Sequence, residues 1–351
     1  MKRMETKILK VSPRYPEVDK LKIAAQIIKR GGTAAFPTET VYGLGANGLN
    51  PAAIKKIFWA KGRPLDNPLI LHIAEINELG ALVKEVSFQA EKLISKFWPG
   101  PITLVFKKSF IVPDEATAGL DTVAIRMPAN SIARMLIRLS ECPIAAPSAN
   151  LSGKPSPTKV EHVIADLLGK VDLIIDGGDT PVGVESTVID VTRTPPMILR
   201  PGGITREQLE EVLGEIRVDQ MLDLKNGKPR SPGLKYRHYS PDAQVIVIEG
   251  APKNRVKKIK TLLREKRNQG LKVGVMCVDE TLKMYENIPN VLSMGKEKRP
   301  ETIAPNMYNC LRGFDLKGVD VILVEGISER GMGLAIMNRL RKAAGFNVIK
   351  V

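Results

Sequence analysis

The chain has 351 residues, 43% of them hydrophobic, and sets 53 Lys and Arg against 38 Asp and Glu for a formal net charge of +15. That apolar share suffices for a buried core and excludes a mainly disordered chain, while no stretch reaches the 18 or so uninterrupted apolar residues of a membrane span. Cys142, Cys277 and Cys310 stand too far apart for a disulfide framework or a zinc knuckle, and the opening MKRMETKILK lacks the apolar centre of a signal peptide, so a soluble, cytoplasmic protein of two domains is expected.

Helices alternate with short apolar strands along the chain, which predicts α/β architecture. Residues 17–30 read as a helix with Leu21, Ala24, Ala25 and Ile28 on one face and Gly31-Gly32 as its stop. A strand at 33–36 leads into PTETVYGLG (37–45), read as a loop dense in special residues. Asn50 then caps a helix with Pro51 at its first position. Strands are expected at 67–74, 103–108, 122–128, 143–146, 171–178, 186–192 and 197–203, with helices at 87–97, 131–140 and 159–169 and a closing helix begun by Thr205. This pattern predicts one domain, 1–217, built on a twisted mixed sheet.

Residues 218–242 carry Gly, Pro and basic residues with little hydrophobic periodicity, and read as a linker. Residues 243–351 then repeat a strand–helix succession (QVIVIEG, a basic helix at 253–272, LKVGVMCV, a helix near 301–312, GVDVILVEG and GLAIMNRLRKAAG), predicting a smaller, doubly wound parallel sheet of Rossmann-like type. The charge is uneven. Residues 218–351 hold 25 Lys and Arg against 14 Asp and Glu, and nine of those cations fall in 253–272. Such a surplus suits a polyanion, although an amphipathic helix with a solvated basic face has the same composition.

Phosphate-loop, dinucleotide-binding, zinc-protease and serine-hydrolase motifs are all missing. His72, His162 and His238 are too scattered for a metal cage. Any catalysis would therefore come from positioning and electrostatics. Four polar clusters stand at the ends of apolar strands, where α/β proteins bind ligands. Lys61-Gly62-Arg63 with Asn67 suits phosphates, and equally a helix end whose cations complement its dipole. Ser148-Ala149-Asn150 with Ser152, Gly153 and Ser156 can wrap a nucleotide or form a plain loop. Gly183-Val184-Glu185-Ser186-Thr187 precedes a strand, and Arg126 and Arg200 each end another. A strand-end arginine needs an anion, either a ligand or an internal carboxylate such as Asp176, Asp190 or Glu185. The linker cluster of Lys235, Tyr236, Arg237, His238 and Tyr239 can stack on a base or close over a phosphate.

The strings FPTETVYGLG, KGRPLDNPLILHI, WPGPITLVF, AIRMP, PSANLSGKPSPT, VESTVID, ILRPGGIT, SPGLKYRHYSP and GLAIMNRLRKAAG occur in this order over nearly the whole chain. Together they resemble the YrdC-type threonylcarbamoyl-AMP synthase family in its long form with a C-terminal domain. The resemblance implies a nucleotidyltransferase that condenses L-threonine, bicarbonate and ATP into threonylcarbamoyl-adenylate and pyrophosphate. A downstream transferase would then modify adenosine 37 of tRNA. It implies Lys61 and Arg63 as catalytic residues, and ATP held by these two with Asn67, Thr122, Ala146, Ser148, Asn150, Ser156, Arg200, Tyr236 and His238. Threonine would be bound by Thr40, His72, Arg126 and Ser186, the linker would act as a lid, and Mg2+ would sit on phosphates and waters. A monomer is expected. Contact with tRNA or double-stranded RNA is compatible with the charge, and a pure RNA-binding module and a related carbamoyl-adenylate enzyme are the competing readings.

Overall fold

The computed structural model describes residues 5–219 and 239–351. The chain divides into two compact bodies, one of Met1–Ser152 with Ser156–Lys235 and the other of Gly153–Pro155 with Tyr236–Val351. Three residues from within the first sequence half thus belong to the second body.

In the first body the strands are β1 (Lys7–Lys10), β2 (Ala34–Phe36), β3 (Gly43–Asn47), β4 (Ile70–His72), β5 (Ile102–Lys107), β6 (Thr122–Arg126), β7 (Ile144–Ala145), β8 (Leu173–Asp176), β9 (Thr187–Asp190), β10 (Met197–Arg200) and β11 (Arg217–Val218). They form a sheet in the order β1-β8-β2-β3-β7-β4-β6-β5-β9-β10-β11. The sheet is mixed: β4 runs parallel to β6 and β5 to β9, whereas β6 and β5 are antiparallel. The segment expected as a loop over 37–45 ends in a strand. Gly43–Asn47 pairs antiparallel with β2 and β7, because its alternating small residues can lie flat between two neighbours. Strand β1 escapes sequence reading because its KILK is largely exposed and carries no turn signal.

Local signals account for the helices that frame the site. In Val18–Lys29 the buried positions are Leu21, Ala24, Ala25 and Ile28, one stripe at helical spacing. The helix Pro51–Lys61 begins at Asn50, whose side chain accepts from the amides of Ala52 and Ala53, and stops at Gly62, at a φ of 61°. That left-handed value favours glycine and turns the chain sharply between Lys61 and Arg63. Thr205 and Gln208 form a reciprocal capping box on Arg206–Leu213.

Side-chain alternation gives the sheet two unlike faces. Leu71, Ile73, Leu104, Phe106, Val123, Ile125 and Ile189 point into the main apolar core. On the other face Ile70, Val105, Ala124, Val188 and Leu199 form only a narrow apolar strip. The same periodicity places His72, Arg126 and Thr103 on that strip's face, beyond its end.

The second body is an all-parallel sheet of β12 (Gln244–Glu249), β13 (Val273–Cys277), β14 (Val291–Ser293), β15 (Val321–Glu325) and β16 (Val348–Lys350), in the order β14-β13-β15-β12-β16. Its basic helix spans Pro252–Asn268 and buries Val256, Ile259, Leu262 and Leu263. Lys253, Lys257, Arg264 and Arg267 are exposed on it. The helix expected near 301–312 starts at Ala304, after a single tighter turn at Pro300–Thr302.

Candidate active site

Two groups of buried polar residues occupy the first body. The first is centred on Arg126, at the end of β6, which is 4% exposed. Its Nη2 donates to Glu39 Oε1 at 2.6 Å, its Nη1 to Thr40 Oγ1 at 2.9 Å and its Nε to the Gly100 carbonyl at 3.3 Å. The internal carboxylate partner is thus Glu39, not Asp176, Asp190 or Glu185. It comes from the PTET loop, 87 residues away in sequence. Glu185 instead accepts from the Ser156 hydroxyl at 2.6 Å, and Asp190 pairs with Arg193.

Parallel register sets His72 directly beside Arg126. His72 Nδ1 lies 3.2 Å from the Ile70 carbonyl and 3.3 Å from that of Ile144. Carbonyl oxygens only accept, so Nδ1 carries the hydrogen and Nε2 keeps its lone pair. Burial, and secondly the charge of Arg126, push the imidazole pKa down to about 3, so the ring is neutral at physiological pH.

Ser186 completes this group. Its hydroxyl lies 2.7 Å from Thr103 Oγ1 and accepts from Arg200 Nη2 at 3.1 Å, and Arg200 also donates Nε and Nη2 to the Ser186 carbonyl. Two local features bring Arg200 there. A register irregularity between Ile198 and Arg200 turns the arginine toward β9. Gly202 then lets the chain press against Glu185–Thr187, where a Cβ would come within 2.3 Å of the Glu185 carbonyl oxygen. Arg200, expected at the nucleotide, is therefore bonded to the residue expected at threonine.

The second group gathers around Lys61, which is 2% exposed. Its ammonium donates to the carbonyls of Ser148 and Asn150, and its own carbonyl accepts from Ser152 N at 2.8 Å. The helix end and the serine-rich loop, 87 residues apart, thus form one structure. Within the loop Ser148 Oγ donates to Asn150 Oδ1 at 2.5 Å. Ala146 anchors it through its amide to the Ile70 carbonyl at 3.0 Å. Arg63 Nη2 donates to the carbonyls of Asn67 and Pro68 at 3.3 and 3.2 Å. The Asn67 side chain is fully buried, yet neither its oxygen nor its nitrogen has a hydrogen-bond partner. An orphaned buried amide is costly unless a ligand engages it.

Thr122 starts β6 and Arg126 ends it, about 13 Å apart at strand rise. Because Ile70 pairs with Ala124 and His72 with Arg126, Asn67 lies toward the start of β6 and the Arg126 group at its end. Tyr236 and His238, and with them most of the expected lid, fall outside the described residues. Glu39 and Thr103 are buried polar partners that sequence reasoning did not assign to the site, and Glu185, named as a possible arginine partner, is instead bonded to Ser156. Their signal was their position inside the strings PTET, WPGPIT and VEST. Among the described residues no group of three or more His, Cys, Asp or Glu is placed to hold a metal ion.

Comparisons with known proteins identify the family of the chain. A family model described as "Telomere recombination" matches residues 26–202, and one described as "Threonylcarbamoyl-AMP synthase, C-terminal domain" matches residues 204–345. The chain is 53% identical to threonylcarbamoyl-AMP synthase of Pyrococcus abyssi, covering 99% of this chain and all of that one. It is 51% identical to the synthase of Bacillus subtilis over 93% of each chain. The crystal structure of the P. abyssi protein complexed with L-threonine superposes with a TM-score of 0.93 at 52% identity, covering 99% of this chain and 100% of that one. Both family models, the full-length relatives and the buried cation groups converge, and the chain belongs to the threonylcarbamoyl-AMP synthase family in its two-domain form.

Proposed function

We propose that this chain condenses L-threonine, bicarbonate and ATP to threonylcarbamoyl-adenylate, pyrophosphate and water. The observation that carries the reading is the burial of Lys61, Arg126 and Arg200 in the first body, with the unpartnered Asn67 side-chain amide beside the Lys61 group. In this reaction the threonine amine attacks the carbonyl carbon of bicarbonate or carbon dioxide, and a carboxylate forms on nitrogen. One oxygen of that carboxylate then attacks the α-phosphorus of ATP, and the bond to the β-phosphate oxygen breaks. Anion meets anion, and further charge develops on the leaving pyrophosphate, so fixed donors and cations lower the barrier.

Arg126 has five N–H donors, of which Glu39, Thr40 and Gly100 engage three. The other two form a fork for the α-carboxylate of threonine. Glu39 offsets the guanidinium charge, so recognition there is by geometry more than by bare attraction. His72 Nε2 can only accept, which suits the amine or hydroxyl of threonine. Thr40 and Ser186 flank it. Lys61, Arg63 and Asn67 take the phosphates, with Lys61 and Arg63 acting on the charge that develops in the transition state. Ala146, Ser148, Asn150 and Ser156 hold the nucleoside part, with Thr122 at the same end of the sheet and Arg200 between the substrates. Mg2+ would arrive on ATP, held by phosphate oxygens and waters, and would neutralise phosphate charge.

The product would pass to a separate transferase that modifies tRNA in the cytoplasm. The exposed cations of Pro252–Asn268 suit a polyanion such as tRNA. The test is pyrophosphate release from ATP with Mg2+, threonine and bicarbonate each supplied or withheld. Release is expected only with both, and more with threonine than with serine. Release indifferent to threonine overturns the reading, and retention of RNA without any release favours a binding module.

A further inference from the structure

The loop that carries Thr40 is closed by a hydroxyl at its start. Thr38 Oγ1 lies 2.7 Å from the Val41 carbonyl oxygen and 2.8 Å from Thr40 Oγ1, and the amides of Thr40 and Val41 donate to it at 3.1 and 3.3 Å. Backbone bonds hold the same loop from outside, Val182 N to the Glu39 carbonyl at 2.9 Å and Gly183 N to the Thr40 carbonyl at 3.0 Å. Both threonines are buried, so these neighbours direct their hydroxyls.

Hydrogen counting gives the chain of hydroxyls a direction. Two oxygens in such close contact need a hydrogen between them. A carbonyl has none to give, so the Thr38 hydrogen lies toward Val41. The contact between the two threonines needs one as well, and with that of Thr38 already used it comes from Thr40. Thr40 Oγ1 also accepts from Arg126 Nη1 at 2.9 Å. A hydroxyl has one hydrogen and two lone pairs. Thr40 has therefore given away its hydrogen and filled one lone pair, and the other lone pair is what it offers a ligand. His72, beside Arg126 in the sheet, has the same polarity, because its Nδ1 hydrogen faces backbone carbonyls and Nε2 is left to accept. Donors on Arg126 and acceptors on Thr40 and His72 match an α-amino acid, whose carboxylate accepts and whose amine donates.

We propose that Thr38 is a positioning residue for the amine of threonine: it takes the only hydrogen of Thr40 and so presents Thr40 Oγ1 to the substrate as an acceptor. This rests on reading Thr40, His72 and Arg126 as the threonine site. An amine bound through its hydrogens keeps its lone pair for the attack on carbon. Without the Thr38 hydroxyl, the Thr40 hydrogen turns toward the site and a donor faces a donor.

The test is steady-state kinetics of the full chain in Thr38→Val, Thr38→Ser, Thr40→Val and the double Thr38→Val/Thr40→Val variant, varying threonine and ATP separately. Thr38→Val should raise the KM for threonine roughly tenfold and leave that for ATP within about twofold, as expected for one lost hydrogen bond. Thr38→Ser should restore threonine affinity. Inhibition by 2,3-dihydroxybutanoate, threonine with a hydroxyl in place of its amine, should change by less than about twofold, because a hydroxyl meets a donor as readily as an acceptor. The double variant should be no worse than Thr40→Val, since no Thr40 hydroxyl then remains to be directed. A fully additive double variant, an equal loss of inhibitor binding or equal rises in both KM values would show that Thr38 only holds the loop, and each overturns the proposal. An unchanged threonine KM in Thr38→Val does so too. Should Thr38→Val fail to fold, Thr38→Cys, whose thiol fills the space but accepts weakly, decides in its place. If Thr40→Val leaves the KM for threonine unchanged, the reading of Thr40 as part of the threonine site fails, and the proposal with it.

Discussion

The two sheets of this protein bury polar groups in opposite ways. In the second body, the interior positions of β12, β13 and β15 are Val, Ile, Leu, Met and Gly. The fully buried Glu325 at the end of β15 is satisfied by Thr281 Oγ1, Tyr285 OH and the amide of Val278, 40 to 47 residues away in sequence. In the first body, one sheet face carries His72, Thr103, Arg126, Ser186 and Arg200, and the side-chain amide of Asn67, in the loop before β4, has no partner. Buried polar groups lower stability unless paired. A buried side-chain amide left without a partner on either atom marks the first body as the place where a ligand completes the set.

Replacements should separate the two sheets. The largest effect is expected from Arg63→Ala, which should lower turnover by about a hundredfold or more through lost charge stabilisation, with a nearly unchanged melting curve because Arg63 is only half-buried. Lys61→Ala should lose stability as well, since its buried ammonium ties two loop carbonyls together. Next comes a matched pair. Glu39→Gln removes the partner of a buried arginine and should cost about 3 kcal/mol together with a higher KM for threonine. Glu325→Gln should cost about 1–3 kcal/mol and leave turnover per folded molecule as it was. Urea unfolding beside initial rates checks both, and equal kinetic effects would erase the contrast.

A further contrast is in pH dependence. His72 takes up a proton near pH 6.5 in the unfolded chain but only near pH 3 in the folded one. Between those values the unfolded chain binds more protons, so stability falls as pH falls, by up to about 1.4 kcal/mol per pH unit from this residue. His72→Gln should remove that part of the slope below pH 6.5 and none of it above. An unchanged slope in urea titrations at pH 4 to 7 would show that the imidazole is not held neutral.

Much of this was legible in the sequence. Asn50, Pro51 and Gly62 bound their helix through local chemistry, and Leu21, Ala24, Ala25 and Ile28 lie buried as their spacing requires. The strand-end arginines were legible as needing anions. Their partners were not, because Glu39 reaches Arg126 across 87 residues and no local pattern encodes that distance. The Arg200 contact depends on a bulge and on the close approach at Gly202, which are properties of paired backbones. Strands β14 and β16 are three residues each, too short for periodicity to register. The unpartnered side-chain amide of Asn67 is visible only once burial is known.

The contribution of Gly153–Pro155 to the second body also bears on how the protein can be taken apart. A cut placed in the linker would leave the C-terminal piece without its tripeptide, with the Arg312 guanidinium deprived of the Pro155 carbonyl and Asp242 and Asp315 deprived of Lys154. Asp315, whose carboxyl is already raised above its ordinary range by burial, would then lose the nearby cation. The covalent order of the chain and its division into folding units therefore disagree by three residues. Recombination between relatives must exchange the segment around 153–155 together with the C-terminal half, or the second body will lose three of its own residues.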